Sequence, residues 1–261
     1  VQSIWQSGVL DPQGPIGAAQ RLILLDATTI MLAIIIPVIV LTLGFAWWFR
    51  AGNTRARYLP SFQYSGPIEL VVWSIPALVI TFLGGMAWIS SHALDPPRPV
   101  AAQVAPVEIQ VVALDWKWLF IYPSEGVATV NQLVVPIGAP LSFRITSGTV
   151  MNSFFVPQLG SQIYAMPGMV NRLELLAANP GTFQGLSANY SGAGFSEMRF
   201  EVKSVPAAEF QSWVTATKTA GGQLDPIAYG RLARPSKADK PQAFGSVAPK
   251  LFETAIQQTV K

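Results

Sequence analysis

From Ala27 to Phe49 the chain carries no charged residue, and from Leu70 to Ser91 it again carries none. A helix needs about 20 apolar residues to cross the hydrocarbon core of a bilayer. In that medium only a helix or a closed barrel satisfies every backbone N–H and C=O. Two such runs in tandem predict two membrane spans, at 27–49 and 70–91. Two buried helices of a large soluble domain would be the alternative. A chain that is 51% hydrophobic and only 12% charged argues against it. Trp47 and Trp48 stand beside Arg50, an interfacial anchor pattern. Pro37 is expected to kink the first helix.

The connector at 50–66 contains Arg50, Arg55 and Arg57 and no acid. Basic loops face the cytoplasm, so 22–92 reads as a hairpin. The tail at 1–21 and everything after His92 then lie outside, in the periplasm of a Gram-negative cell or an equivalent space. Residues 1–20 lack a basic start followed by an apolar core, so they are not an intact signal peptide. Val1 is no initiator Met, and the chain is expected to have been processed. His92, just after the second span, reads as an interfacial residue. Glu69 opens that span. It is either a helix-start acid favoured by the helix dipole or a carboxylate kept at the hydrocarbon edge for a proton path.

Residues 93–106 include Pro96, Pro97, Pro99 and Pro106 and read as an extended linker. Strand-like segments follow at 107–112, 115–122, 128–135, 141–146, 150–156, 170–176, 181–186 and 198–202, separated by Gly/Pro turns. Many short strands at this spacing predict an all-β sandwich or barrel over 107–205. The rest, 206–261, reads as a helical extension. It has an amphipathic helix at 207–218, a short helix behind Asp225-Pro226, a loop at 234–249 and a last helix at 250–260.

Chemistry is scarce. There is no Cys, which removes disulfides, thiolate metal sites and cysteine nucleophiles together. A single His excludes multi-His zinc or copper sites. The net charge is +3, and the basic residues form no run beside stacking aromatics, so nucleic acid is not a partner class. No phosphate loop or nucleophile elbow is present. Asp115-Trp116-Lys117-Trp118 is either an aromatic platform or barrel packing, and spacing alone favours packing.

Two helices, a Pro-rich linker, a β domain and several phrases together resemble subunit II of the haem–copper respiratory oxidases. The phrases are Phe45-Ala-Trp47, Glu69-Leu-Val-Val-Trp73-Ser-Ile-Pro76, Asp115-Trp116-Lys117-Trp118, Val150-Met-Asn152-Ser-Phe-Phe-Val-Pro157, Leu159 to Gly168, and Gly185 to Met198. Leu10-Asp-Pro-Gln-Gly14, His92-Ala-Leu94 and Ser191-Gly-Ala-Gly-Phe195 are similar to the cytochrome bo-type ubiquinol oxidase branch. The resemblance implies a fold of membrane α plus all-β: a transmembrane hairpin, a periplasmic cupredoxin-like Greek-key barrel and a short C-terminal extension.

In the cytochrome c branch of that family the barrel holds a dinuclear copper centre. Carried over, its first His falls on Asn152, its two Cys on Ser187 and Ser191, and its Glu on Asn189. Its second His falls on Phe195, and only its Met persists, as Met198. Soft thiolates and imidazoles supply almost all binding to such a pair, so a lone thioether implies no copper and no cytochrome c. The resemblance therefore implies a non-redox subunit of a proton-pumping ubiquinol oxidase in the bacterial inner membrane. Haems, copper and ubiquinol would belong to subunit I, with subunits III and IV and lipid as further partners. It also makes Glu69 a proton-pathway entrance. A lipid-modified N-terminal Cys is common in such relatives, and the resemblance alone does not extend it to this chain. Two other readings stay open at this point: a membrane-anchored periplasmic scaffold with a vestigial cupredoxin domain, and a cytochrome c oxidase subunit with an unusual copper site.

Overall fold

Two long helices form the N-terminal part of the computed structural model, which describes residues 8–57, 59–237 and 239–258. Helix α1 runs Pro15–Trp48 and α2 runs Gly66–Ala93. At 1.5 Å per residue, the 34 residues of α1 extend about 50 Å, well beyond a bilayer core. The charges at Arg21 and Asp26 therefore end the lipid-compatible stretch, not the helix. Pro15 fits a helix start because its missing N–H would be unpaired there anyway. Pro37 and Pro76 sit inside their helices without ending them. Thr29, Thr42 and Thr81 donate their hydroxyls to carbonyls four residues back, which satisfies them without water. Neither apolar stretch is buried by the rest of the chain, unlike the core helices of a soluble domain.

The chain divides into two compact units, the hairpin Leu22–Leu94 and the remainder on either side of it. The second unit is built on strands β1 (Val107–Leu114), β2 (Lys117–Tyr122), β3 (Val127–Val130), β4 (Gln132–Pro136), β5 (Pro140–Ser147) and β6 (Asn152–Phe155). They continue as β7 (Ile163–Ala165), β8 (Asn171–Leu176), β9 (Gly181–Ser187) and β10 (Arg199–Val205). Helix α3 (Ala207–Ala220), β11 (Gly222–Leu224), α4 (Pro226–Leu232), β12 (Gln242–Val247) and α5 (Leu251–Gln258) complete it.

One sheet has the order β11-β12-β3-β2-β1-β5-β8 and the other β4-β10-β9-β6-β7. The pairs β1/β5 and β4/β10 are parallel, so the chain crosses between sheets instead of folding as simple hairpins. Between the sheets lies an aromatic core. Trp118, Phe120, Phe143, Phe154 and Phe200 are fully or almost fully buried, with Phe154 and Phe200 stacked 5.3 Å apart.

Strands β1 and β2 are buried on both faces, because a second apolar cluster covers the outer side of their sheet. Ile109, Val111 and Ala113 point with Trp118, Phe120 and Tyr122 into the main core. The alternate residues Val112, Leu114, Leu119 and Ile121 meet Tyr229, Leu232, Leu251 and Phe252 from the C-terminal extension. Burial pushes the Tyr229 phenol up to about 12.

Four sequence readings need correction. First, the expected single strand 128–135 is two strands, β3 and β4, in different sheets. Asn131 makes the corner at φ 55°, a left-handed conformation that Asn tolerates. Its amide ties the corner down: Oδ1 accepts the Trp118 N–H at 2.9 Å, and Nδ2 donates to the Asp239 carbonyl at 3.0 Å.

Second, β7 lies in a segment with no strand pattern, held by pairing with β6 and by Asn171 Nδ2 donating to the Tyr164 carbonyl at 2.7 Å. Third, the extension is not purely helical. Residues 242–247, expected as loop, form β12, which pairs antiparallel with β3 and parallel with β11. With Gly245 in the middle, this segment has little period-two signal, and the free edge of β3 imposes the strand. A Cβ on Gly245 would crowd the carbonyls of Thr217 and Lys218 at the end of α3.

Fourth, the expected N-terminal tail is a strap on the β unit. The Gln13 N–H donates to the Gln158 carbonyl at 2.7 Å, and the Ala178 N–H donates to the Gln13 carbonyl at 2.7 Å. The Gly17 N–H donates to the Leu159 carbonyl at 3.0 Å, and Gln20 Nε2 donates to Ser161 Oγ at 2.9 Å. At Gly14 any Cβ would overlap the Leu176 carbonyl, so the close approach requires glycine. These backbone bonds carry no apolar pattern and cannot be read from a polar, Gly/Pro-containing stretch. Residues 1–7 of that tail lie outside the described residues.

Candidate functional site

Strands β6 and β9 pair antiparallel, and the loop from Ser187 to Met198 returns to β10 over their ends. This brings all six carried-over positions into one region. Asn152 on β6 and Ser187 at the end of β9 are both buried, and Ser187 Oγ donates to Asn152 Oδ1 at 3.1 Å. Ser187 Oγ also lies 3.3 Å from the Asn189 carbonyl. Asn189 Nδ2 donates to the Met151 carbonyl at 3.3 Å. Ser191 Oγ approaches Met198 Sδ at 3.9 Å, and the Met198 carbonyl accepts the Ser187 N–H at 3.1 Å. Phe195 opens a 3-10 turn, Phe195–Glu197, and its ring meets Tyr190 edge-on at 5.7 Å.

Trp116 is the floor of this loop. Its Nε1–H donates to the Ser191 carbonyl at 2.9 Å. Gly192, at φ 104°, and Gly194 pass against its ring, where a side chain at Gly194 would collide with the indole. The aromatic pair of the Asp115–Trp118 run thus divides its work: Trp118 fills the core and Trp116 carries the loop.

The donor set does not fit a copper pair. Amide, hydroxyl, phenyl and thioether groups replace the thiolates and imidazoles that such a centre needs. The polar atoms present are hydrogen-bonded to each other, which is how a buried polar cluster avoids its desolvation cost. Among the described residues no group of three or more His, Cys, Asp or Glu side chains could hold a metal ion.

Lys117 forms a second polar centre that sequence reading missed. Its side chain is 2% exposed on β2. Nζ donates to the carbonyls of Leu232 at 3.0 Å and Arg234 at 2.9 Å and to Ser236 Oγ, and it pairs with Asp239 Oδ2 at 3.1 Å. Ser236 Oγ donates onward to Asp239 Oδ2 at 2.5 Å. A lysine inside an aromatic strand was the available signal, but nothing local identifies a carboxylate 122 positions later as its partner.

Glu69 belongs to the hairpin unit. It lies exposed in the first turn of α2, and its N–H donates to the Ser65 carbonyl at 2.9 Å. Ser65 makes no side-chain cap. Among the described residues the Glu69 carboxylate has no ion pair.

Residues 108–205 match the family model described as cytochrome c oxidase subunit II, periplasmic domain, and residues 218–261 match the COX aromatic rich motif. The chain is 50% identical over 244 residues to the cytochrome bo(3) ubiquinol oxidase subunit 2 of Pseudomonas aeruginosa, covering 94% of this chain and 74% of that protein. It is 48% identical over 250 residues to the ubiquinol oxidase subunit 2 of Acetobacter aceti, covering 95% and 81%. Among solved structures it is similar to the periplasmic domain of subunit II of cytochrome oxidase from Bradyrhizobium japonicum. There the identity is 25%, the TM-score 0.44, and the coverage 47% of this chain and 98% of that chain.

Proposed function

The chain belongs to the ubiquinol oxidase subunit 2 family, and from that premise we propose that it is the non-redox subunit of a proton-pumping terminal oxidase. The complex oxidises ubiquinol, reduces dioxygen to water and moves protons outward. What supports this reading is the Asn152–Ser187–Asn189 cluster: the Ser187 hydroxyl bonds the Asn152 side chain and the Asn189 carbonyl, and the Asn189 amide bonds the Met151 carbonyl, so the positions that would have to bind copper carry only amide and hydroxyl groups engaged in hydrogen bonds. With no metal in the outer domain, a water-soluble cytochrome c has no entry point here. Electrons from a lipid-soluble quinol enter through subunit I, which holds the haems and the copper.

The chain's own work is mechanical and protonic. Its hairpin docks on subunit I, and its β domain caps the outer face. The strap supports the two-span topology independently of loop charge. Residues 13–20 bond to residues of the β domain, so the N-terminal segment and that domain share one side of the membrane. An even number of crossings follows, and the three arginines of the loop at 50–66 support the orientation, with that loop in the cytoplasm and the N-terminal segment and large domain in the periplasm.

Glu69 then stands at the cytoplasmic start of α2, where a carboxylate meets water at the hydrocarbon edge. Its role here is to collect protons for a pathway into subunit I. The test is purification of the complex from its membrane, followed by an optical spectrum, copper analysis and ubiquinol oxidation. We expect a haem-bearing partner to co-purify with oxidase activity. A chain that purifies without any haem protein would be a scaffold, and a copper pair in the outer domain would overturn the quinol reading.

A further inference from the structure

The loop between the two spans is built around a cavity of about 650 Å³. Phe49, Leu59 and Phe62 give it an apolar wall, and Arg50, Arg57 and Asn53 a polar side. The three apolar side chains are more than half exposed, at 57%, 51% and 61%.

Arg50 is held in place at the end of α1. Its Nη1 donates to the Trp47 carbonyl at 2.8 Å, and its guanidinium lies 4.9 Å from the Trp47 ring centroid. That uses one of five N–H donors, so the others are available to a ligand. Asn53 closes the same turn through Trp48, its Nδ2 donating to that carbonyl at 2.6 Å. No acid occurs between Arg50 and Ile68, so nothing in the loop's own sequence neutralises Arg50, Arg55 or Arg57.

Two guanidiniums beside an apolar wall, next to the interfacial Trp47-Trp48 pair, match a molecule with an anionic head and a hydrocarbon body. We propose that this cavity binds an anionic phospholipid of the cytoplasmic leaflet. Its phosphate sits against Arg50 and Arg57, and the first part of an acyl chain lies along Phe49, Leu59 and Phe62. Guanidinium suits phosphate because it offers paired, parallel donors. Basic pockets at the cytoplasmic ends of membrane helices are where such headgroups are held. A free phosphate would use the guanidiniums but leave the apolar wall exposed, so the occupant is the lipid. The proposal rests on the reading that the hairpin spans the membrane with this loop inside.

The experiment uses the whole complex in phosphatidylcholine nanodiscs containing a small fraction of photoactivatable lipid. The lipid carries its reactive group on the acyl chain, with either a phosphatidylglycerol or a phosphatidylcholine head. Peptide mapping then quantifies labelling of residues 49–62. We expect about thirtyfold more labelling from the phosphatidylglycerol probe, the order two basic groups supply near a membrane surface. In the Arg50→Gln/Arg57→Gln variant it should fall to the phosphatidylcholine level. Phe62→Ser should reduce labelling while keeping the headgroup preference. Equal labelling by the two probes, an undiminished signal in the double variant, or no labelling of this peptide would each overturn the proposal.

Topology is read separately. The chain has no Cys, so Ser61→Cys gives it a single thiol. A membrane-impermeant maleimide should label it only in inside-out vesicles. Labelling from the outside would overturn the topology together with the leaflet assignment. Inside labelling with no lipid preference would sink the lipid site alone.

Discussion

Replacing Lys117 by Met keeps the buried stem and removes the charge, which isolates the polar centre from the packing around it. The ammonium holds two carbonyls, one hydroxyl and one carboxylate. Breaking a buried ion pair from one side costs about 3–5 kcal/mol, because the partner is left charged and unpaired. Here Asp239 is 23% exposed and keeps the Ser236 hydroxyl, so its charge stays partly solvated. The cost should therefore fall at the lower end, about 3 kcal/mol. At 2–4 °C per kcal/mol for a unit of this size, that is a loss of about 6–12 °C in thermal midpoint. The damage should begin in the extension. Leu232, Arg234 and Ser236 all lie where the tail is drawn back to β2, and the cluster of Leu232, Leu251 and Phe252 depends on that return.

The assay is urea-dependent proteolysis of the purified complex, with cleavage mapped between residues 232 and 258, for Lys117→Met, Asp239→Asn and the double variant. The double-mutant cycle should give a coupling of about 1.5 kcal/mol between the two positions. A coupling below about 0.5 kcal/mol, within the range in which independent sites simply add, would refute the ion-pair account. So would a tail no more cleavable in Lys117→Met than in the wild type.

Glu69→Ala should slow ubiquinol oxidation and lower proton release while the complex assembles normally; unchanged turnover and pumping would leave Glu69 as a helix-start acid. Restoring the ligand set, with Asn152→His, Ser187→Cys, Asn189→Glu, Ser191→Cys and Phe195→His together, should let the complex take up additional copper with a new visible absorption. No uptake by a correctly folded variant would mean the carried-over positions are misaligned. Alkaline stability offers a test of the extension. The Tyr229 phenol is raised by burial to about 12 from an ordinary 10, so the stability tied to its neutral form is complete below pH 10 and is lost as pH rises toward 12. Tyr229→Phe should flatten part of that loss, measured as the unfolding midpoint between pH 9 and 12. The remaining slope comes from Tyr122, which burial raises further, and an identical pH profile would show that Tyr229 is not desolvated.

The features legible in the sequence are those with a local signal. The spans are continuous hydrocarbon, and β1 and β2 are runs of β-branched and aromatic residues. The Asp225-Pro226 helix start is confirmed by Asp225 Oδ1 accepting the Ala228 N–H at 2.7 Å. The vacated ligand positions were legible because a family pattern supplied the spacing, and their hydrogen bonds to each other were not. What escaped is tertiary in origin. Strand β12 exists because β3 has an edge to pair. The corner at Asn131 exists because two sheets compete for one segment. Lys117 finds Asp239 only after the tail has crossed the sheet.

The strap has a consequence in time. Gln13 is made early, yet its side-chain partner Asn179 comes 166 residues later and Ser161 is 141 residues from Gln20. At ordinary rates of synthesis those partners appear on the order of 10 s after the strap itself. This early segment is thus one of the last to find its place. It can close only over a finished end of the β domain, where the Leu176 carbonyl already faces Gly14. A segment made before the first span thereby registers that the far end of the β domain has been built.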